Sequence, residues 1–468
     1  MKEKTYLLLV ALLLGLLTAA CAAPTPEEVK VTTVVEVTKE VEVEVIKEKL
    51  VTPTPAPPGP TVIEVITQER WAPYVEKAVE LWNTDHPDQQ VEVDMLVLGY
   101  PDLRSKIITA AAGGKAPDLS LIDCIWVPEF AEAQYLVPLD ELDPDWVNDV
   151  ARKDWYEGLT DQTSYDGQLY GLVTQTGTEH LYYRKDWFAA EGIEPPETWD
   201  ELVEAALYFQ QEEIREKYGL GDFSMGVLSS VKGAEATTVR WLMVLWSRGG
   251  TVFEDGQVAI SGPEGKDALQ FYYDLVNTHK AVSPQSITWA WDETRKLFGA
   301  GKTAMFLGGS YEWAAIQDQT GWDLETMKAN VGFIPMPAGP DGNPTTGTGG
   351  MAYSIYRQSE NPELAFEILK LIVGEDLMYE FADQTGQVPP RQSVTEMLDP
   401  EEDWFLYNDA QLMVYARPRP GSAVYPRVSE QVATMLENAV GGAMTVDEAL
   451  DQTAEAISLI TGLPRKYE

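Results

Sequence analysis

Cysteine, histidine and basic residues are scarce in this chain, and each scarcity excludes a class of protein. The 468 residues include 2 cysteines and 3 histidines, and 34 basic side chains stand against 75 acidic ones, for a net charge of −41. Two cysteines cannot build a disulfide framework, and three histidines cannot build a His-rich metal centre. Nucleic acid requires a basic face, which so acidic a chain does not offer. The composition therefore excludes a His-rich metal centre and predicts no nucleic-acid partner.

The start of the chain also lacks an apolar run long enough to cross a bilayer as a helix. Residues 6–17 are apolar apart from one glycine, whereas a spanning helix needs about 20 such residues. Two lysines precede the run, and the small residues 18–20 follow it. This order is typical of a secretory signal peptide, which we place at residues 1–20.

Cys21 directly follows these small residues and resembles the cysteine of a bacterial lipobox, which is lipidated and becomes the mature N-terminus. The alternative is an ordinary signal peptide with an incidental cysteine. Residues 21–60 are proline-rich at both ends, with alternating valine and glutamate between them. Proline-rich chain forms a stiff spacer, so we interpret this segment as a tether from the membrane. Cys124 is the one other thiol, and a lone thiol of this kind is typically a small buried hydrophobe.

From Thr61 onward, short apolar strands alternate with amphipathic helices. Strands are predicted at 62–66, 91–97 and 119–122, and the spacing of apolar residues predicts a helix over 70–83. Hydrophobic residues make up 44% of the chain, enough for the cores of two or three domains of about 150 residues. Such alternation indicates an α/β fold with parallel-rich sheets, whose ligands bind at the carboxyl ends of strands.

A set of short motifs then narrows the fold. In chain order these are GKAPD at 114–118, DGQLYGL at 166–172, LYYRKD at 181–186, PPETWDEL at 195–202, GKTAM at 301–305, PMPAGP at 335–340, NPELA at 361–365 and GQVPPR at 386–391. Together they resemble the extracellular solute-binding proteins of ABC importers, in the maltose-binding-protein-like, sugar-binding branch. The resemblance covers about residues 61–460.

This resemblance implies a two-lobed periplasmic-binding-protein fold of class α/β. Each lobe would be a mostly parallel sheet flanked by helices, and three chain crossings would form a hinge beside the ligand cleft. The implied boundaries are 61–174 and 335–373 for lobe one, and 178–333 and 375–468 for lobe two. The crossings are expected near 175–177, 334–335 and 374.

The resemblance also implies which residues line the cleft. Aromatic rings suit sugars because they pack on the apolar C–H faces while polar groups bond the hydroxyls. The aromatic candidates are Trp126, Trp241, Trp289, Trp291 and Tyr311, and for each of them simple packing remains the alternative; Trp82 and Trp199 are interpreted as structural. Close backbone approach is expected at Gln175, Thr176, Gly177, Gly349 and Gly350. The charged candidates are Asp123, Glu179 and Arg391.

The function implied is that of a substrate-binding subunit that captures an extracellular sugar or oligosaccharide and delivers it to ABC permease subunits. It would act without cofactor or chemistry of its own, as a monomer anchored by lipid to the outer face of the bacterial cell membrane. Two alternatives stay open. The same fold could bind a non-sugar organic anion or polyamine, or the chain could be an extracellular glycan-degrading enzyme with a carboxylate pair.

Two further motifs fail as catalytic signatures. The phosphate-loop pattern requires a glycine at the position of Lys296, five residues before Gly301. The nucleophile-elbow pattern fails because Glu312 occupies the place of its last glycine. Neither motif therefore predicts an enzyme.

Overall fold

The computed structural model describes residues 59–223, 225–226, 235–289 and 292–467, which belong to one compact unit. The predicted signal peptide, Cys21, nearly all of the predicted tether and Trp291 lie outside these residues. None of the described helices is long and apolar enough to cross a membrane.

Fifteen strands, numbered in chain order, occupy the described residues. They are β1 Thr61–Thr67, β2 Val91–Val97, β3 Leu119–Asp123, β4 Ser164–Tyr165, β5 Gln168–Leu169, β6 Leu172–Val173, β7 Glu179–Arg184, β8 Met225–Gly226, β9 Phe253–Glu254, β10 Gln257–Val258, β11 Met305–Gly309, β12 Val331–Ile334, β13 Thr346–Thr348, β14 Met351–Ile355 and β15 Ala416–Pro418.

Helices separate these strands. The α-helices of six or more residues are Ala72–Asp85, Tyr100–Ala112, Val127–Glu132, Glu157–Gln162, Lys185–Glu191, Trp199–Phe209, Glu212–Tyr218, Glu235–Ser247, Pro263–Tyr273, Glu293–Gly299, Glu312–Thr320, Leu324–Asn330, Pro362–Ile372, Glu375–Thr385, Trp404–Leu412, Tyr425–Val440 and Val446–Thr461. Two of these helices begin with a capping box, at Thr198 and Thr445. In each, the threonine side chain accepts from the backbone amide of the glutamate three residues later, and that glutamate side chain accepts from the threonine amide.

Lobe one is built on a five-stranded sheet in the order β2-β1-β3-β14-β6. β1 pairs in parallel with β2 and β3, whereas β14 runs antiparallel to both β3 and β6. The buried side chains of β1, β3 and β14 form one core with the helices Ala72–Asp85 and Pro362–Ile372. Trp82 belongs to this core, so its structural role is confirmed.

Lobe two is built on a four-stranded sheet in the order β12-β7-β11-β8. β7 runs antiparallel to β11 and β12, and β8 is parallel to β11. Its core includes the helices Glu235–Ser247, Pro263–Tyr273 and Tyr425–Val440, together with Trp199, whose structural role is also confirmed.

Both sheets are therefore mixed, where mostly parallel sheets were expected. The antiparallel pairs trace to the crossings between the lobes. β7 follows the first crossing and β14 follows the second, and each enters its sheet in the direction opposite to its neighbours. A strand that arrives from the other lobe in this way has no βα connection to make it parallel.

Two of the three crossings lie later in the chain than expected. The first lies between β6 of lobe one and β7 of lobe two, at 174–178. The second lies at Gly349–Gly350 rather than 334–335, because Met336 still packs in the lobe-two core. The third lies after Val394 rather than near 374, because the helix Glu375–Thr385 packs on the lobe-one core.

Candidate functional site

The candidate site lies where strand ends of the two lobes meet beside the crossings. In lobe one, β3 ends at Asp123. In lobe two, β11 ends at Gly309, and the antiparallel register places Glu179, the first residue of β7, directly beside it. The carboxyl end of a strand is where α/β sheets bind ligands, as the sequence predicts.

Lobe two contributes a group that we call the tyrosine cluster, formed by Glu179, Arg240, Tyr311 and Glu312. The Tyr311 hydroxyl donates to Glu179 Oε1 at 3.2 Å. Arg240 Nε lies 3.7 Å from Glu179 Oε2, and Arg240 Nη2 lies 3.9 Å from Glu312 Oε1. The Tyr311 ring lies over Gly309, where a Cβ atom would come within 2.2 Å of the ring. Only glycine therefore leaves room for the ring in this position.

Burial governs the ionisation of this cluster. Burial and the neighbouring Glu179 carboxylate raise the pKa of Tyr311 well above its ordinary value, so the phenol stays a neutral hydrogen-bond donor. Burial also raises the pKa of Glu312 to about 8, although the guanidinium groups of Arg240 and Arg295 act in the opposite direction. The closest of these contacts joins Arg295 Nε to Glu312 Oε2 at 2.9 Å.

A second group, which we call the arginine bridge, joins the two lobes through Tyr100, Asp123, Glu235 and Arg419. Arg419 Nη2 lies 2.9 Å from Asp123 Oδ1, and Arg419 Nη1 lies 3.5 Å from Glu235 Oε1. The Tyr100 hydroxyl donates to Asp123 Oδ2 at 2.8 Å. The three charged side chains are all at least nine-tenths buried.

The helix Glu235–Ser247 places the two groups side by side, because Glu235 belongs to the arginine bridge and Arg240 to the tyrosine cluster. Glu235 is further held by the hydroxyls of Tyr425 and Ser429, which donate to its carboxylate oxygens at 2.7 and 2.6 Å. Burial is the main cause that raises the pKa of Glu235. Each carboxylate of the site thus faces a guanidinium or a hydroxyl donor from the chain itself.

Polar contacts join the chain crossings beside these two groups, and we call this region the hinge. Thr176 Oγ1 donates to the Gly349 carbonyl at 2.9 Å, and the Thr176 amide donates to the Val388 carbonyl at 2.8 Å. Gln175 Oε1 accepts from the Met351 amide at 3.3 Å. Three separate segments are therefore tied together at the first crossing.

Close approach explains the glycines of the hinge. At Gly350 a Cβ atom would lie 2.1 Å from the Gln175 carbonyl oxygen, and at Gly177 it would lie 1.9 Å from Ser310 Oγ. At Gly349 it would lie 2.2 Å from Arg419 Nη2. The structure thus brings Asp123, Gln175, Thr176, Gly177, Glu179, Tyr311, Gly349 and Gly350 to one region.

Two predicted ligand contacts need correction. Trp241 has no exposed surface and belongs to the lobe-two core, because it lies on a helix that is buried along nearly its whole length. Arg391 lies within lobe one, where Nε bonds Asp154 at 2.6 Å and Nη2 bonds Glu375 at 3.0 Å. Nη1 donates to the Val373 carbonyl, so each of the three guanidinium nitrogens is held by a partner within lobe one.

Trp126 and Trp289 are the other predicted tryptophans within the described residues. Trp126 is buried against the Tyr100 ring at 5.3 Å, so it lies one layer behind the arginine bridge. Trp289 is partly exposed at the end of the short helix Pro284–Thr288, and its ligand contact stays a prediction. The predicted burial of Cys124 is confirmed.

Sequence reasoning missed Tyr100, Glu235, Arg240 and Arg419. Tyr100 begins the helix that follows β2, so the rule of strand carboxyl ends could have found it. The other three carry no motif, because their partners lie far away in the chain; Arg419, for example, is 296 positions from Asp123.

Comparison with known sequences identifies the family. Residues 66–378 match the family described as bacterial extracellular solute-binding protein, a span of more than half of the chain. The chain belongs to this family. Its members are binding proteins rather than enzymes, and they act outside the cytoplasm, so this solute-binding protein is an exported one.

Individual relatives are similar over most of their length. A binding protein of Brucella abortus is 26% identical over 375 residues, which cover 79% of this chain and 84% of that protein. The arabinooligosaccharide-binding protein of Halalkalibacterium halodurans is 24% identical, with 82% of this chain and 85% of that protein covered.

Solved structures agree with the two-lobed fold, which is confirmed. A solute-binding protein of Thermotoga lettingae, bound with α-D-tagatose, has a TM-score of 0.74 at 26% identity, with 86% of this chain and 100% of that one covered. The maltose-bound MalE3 of T. maritima has a TM-score of 0.73 at 26% identity, with the same coverage.

Proposed function

We propose that this solute-binding protein captures a sugar or oligosaccharide between its lobes and delivers it to the permease of an ABC importer. The observation that carries the proposal is the tyrosine cluster, which places an aromatic ring and a carboxylate at the strand ends beside the hinge. A ring beside hydrogen-bonding groups is the combination that suits a sugar, whose faces are apolar and whose edges carry hydroxyls. The tagatose, maltose and arabinooligosaccharide named for its relatives support the same ligand class.

The charges of the site favour a neutral ligand over the alternatives. Asp123 and Glu235 share the guanidinium of Arg419, and Glu179 and Glu312 lie near that of Arg240. A polyamine would have to displace these guanidiniums from buried carboxylates, which costs several kcal/mol for each broken pair. An organic anion would instead have to compete with these acidic side chains for the same guanidiniums. A neutral sugar meets neither obstacle.

The same pairing argues against a glycan-degrading enzyme. Hydrolysis of a glycosidic bond needs two carboxyl groups free to face the sugar, one as acid and one as base or nucleophile. Here Glu179 accepts from Tyr311, and Glu312 is fully buried against Arg295. We therefore propose a binding protein without catalytic turnover.

A thermal-shift screen over a carbohydrate panel tests the proposal. A ligand present at 100 times its Kd should stabilise the folded protein by about 2.7 kcal/mol, which is a readily measured rise in melting temperature. Pentose and hexose oligosaccharides, polyols, spermidine and citrate form the panel. We expect stabilisation by neutral sugars; stabilisation by spermidine or citrate alone would refute the sugar assignment while leaving the family intact.

We further propose that Cys21 carries a lipid and that residues 22–60 hold the lobes away from the membrane, next to the permease. The support is the lipobox-like order of residues 6–21 in an exported family. Expressed in a bacterium with its signal peptide, the protein should enter the membrane fraction. The Cys21→Ser variant should lose both the lipid mass and the membrane partitioning; unchanged mass and partitioning would contradict the anchor.

A further inference from the structure

The arginine bridge connects side chains of the two lobes beside the hinge. Asp123 ends β3 of the lobe-one sheet, whereas Glu235 begins a helix of the lobe-two core. Arg419 directly follows β15, and its guanidinium lies between these two carboxyl groups. β15 pairs in parallel with β13, which leads into the second crossing, so Arg419 lies beside Gly349.

Arg419 contacts both lobes with the same guanidinium. Its two terminal nitrogens reach both oxygens of Asp123, at 2.9 and 3.4 Å, and Nη1 also lies 3.5 Å from Glu235 Oε1. The Tyr100 hydroxyl also donates to Asp123, and the Tyr425 and Ser429 hydroxyls donate to Glu235. A hinge motion that moves Asp123 away from Glu235 therefore breaks at least one of these charge-assisted contacts.

Gly349 makes room for this arrangement. A Cβ atom at this position would lie 2.2 Å from Arg419 Nη2 and 2.9 Å from Cζ. Because the clash is with the flexible end of a side chain, alanine at this position would displace the guanidinium without forcing the backbone apart. Gly349→Ala is therefore a way to disturb the bridge while both charges stay in the chain.

We propose that Arg419 is an interlobe latch, which sets the balance between open and closed forms and thereby the affinity for all ligands alike. Solute-binding proteins of this architecture close by a hinge motion. When only the closed form binds tightly, the measured Kd equals the intrinsic Kd divided by the closed fraction. A latch that raises this fraction strengthens binding without contacting the ligand. This proposal rests on the proposed function, because Arg419 would regulate the cleft that binds the sugar.

Spin labels on the two lobes test the latch directly. Glu76 and Asp318 are exposed on helices that pack in lobe one and lobe two, and both are replaced by cysteine for labelling in the Cys21→Ser chain. Cys124 is fully buried, but its sulfur lies 3.2 Å from Arg419 Nη2, so it is replaced by alanine in every labelled chain. Without ligand, Arg419→Met and Gly349→Ala should each lengthen the label-to-label distances. Arg417→Met is the matched control, because Arg417 is exposed two residues away, and it should leave the distances unchanged.

Affinities supply the second readout. Arg419→Met should weaken every sugar of the panel by the same factor, about 10-fold, since coupling energies of this kind change affinity about 5- to 150-fold. Unchanged distances in both variants would overturn the latch. Losses that differ from sugar to sugar would overturn it as well, because they indicate direct contact with the ligand. If distances lengthen but no sugar binds the unmodified chain, the latch stands and the proposed sugar function fails.

Discussion

Tyr311→Ala and Trp289→Ala should each weaken sugar binding at least 30-fold, or about 2 kcal/mol. Tyr311 is the ring of the tyrosine cluster, and its removal takes away the apolar platform and the hydroxyl that holds Glu179. Micromolar binding corresponds to about −8.2 kcal/mol in total, so this loss is a quarter of it. Trp289 is included because the sequence predicts it at the cleft and the structure leaves it partly exposed.

Calorimetric titration of the best sugar from the panel measures these losses. Tyr311→Phe is the matched control: it keeps the ring and removes only the hydroxyl, so it should cost about 1 kcal/mol. Trp82→Ala is the stability control, because Trp82 belongs to the lobe-one core; it should lower the melting temperature and leave the affinity nearly unchanged. If Tyr311→Ala and Trp289→Ala both bind like the unmodified chain, the sugar platform lies elsewhere.

Arg391→Met should lower the free energy of unfolding by about 3 kcal/mol and leave sugar affinity unchanged. Arg391 joins Asp154, Val373 and Glu375 within lobe one, and its guanidinium lies over the Trp155 ring at 5.1 Å. Methionine keeps the length of the stem but leaves a largely buried Asp154 carboxylate without its cation. Chemical denaturation of the two proteins measures the difference.

The effect should depend on pH with a defined sign. Burial alone raises the pKa of Asp154, but the Ser393 amide and the Arg391 guanidinium outweigh it and hold the pKa below its ordinary value. A carboxyl group of this kind stabilises the fold above its unfolded pKa of about 3.9 and loses that contribution as the pH falls below it. The gap between unmodified protein and Arg391→Met should therefore narrow from pH 6 to pH 3. A loss of sugar affinity in this variant, with stability unchanged, would return Arg391 to the ligand site.

The sequence predicted features that depend on local order. Trp82 lies on a helical stripe, and that stripe faces the core because helix geometry leaves little choice. Asp123 and Tyr311 follow strands, and the carboxyl end of a strand is a position that chain order alone determines. The two-lobed fold was predicted differently, from the family that the motifs between 114 and 391 resemble.

The predictions that were wrong concern residues whose positions depend on contacts with residues far away in the chain. The helix Glu235–Ser247 is buried on almost every side, so its apolar pattern does not show which tryptophan faces a ligand. Arg391 finds its partner Asp154 237 positions away. The second crossing was misplaced because Met336 and Thr345 bond to each other and keep that segment in lobe two as far as β13. None of these pairings has a signature in a single sequence.

The most direct test of the central claim is the distance between labels at positions 76 and 318 while a sugar that stabilises the protein is titrated in. A ligand held by both lobes stabilises the closed form, so the account predicts that the long distances give way to shorter ones with the same midpoint as calorimetry. The same titration is made on Arg419→Met, in which the latch is removed. If a saturating sugar leaves the label-to-label distances of this variant unchanged, the sugar does not bind between the lobes, and the central claim is contradicted.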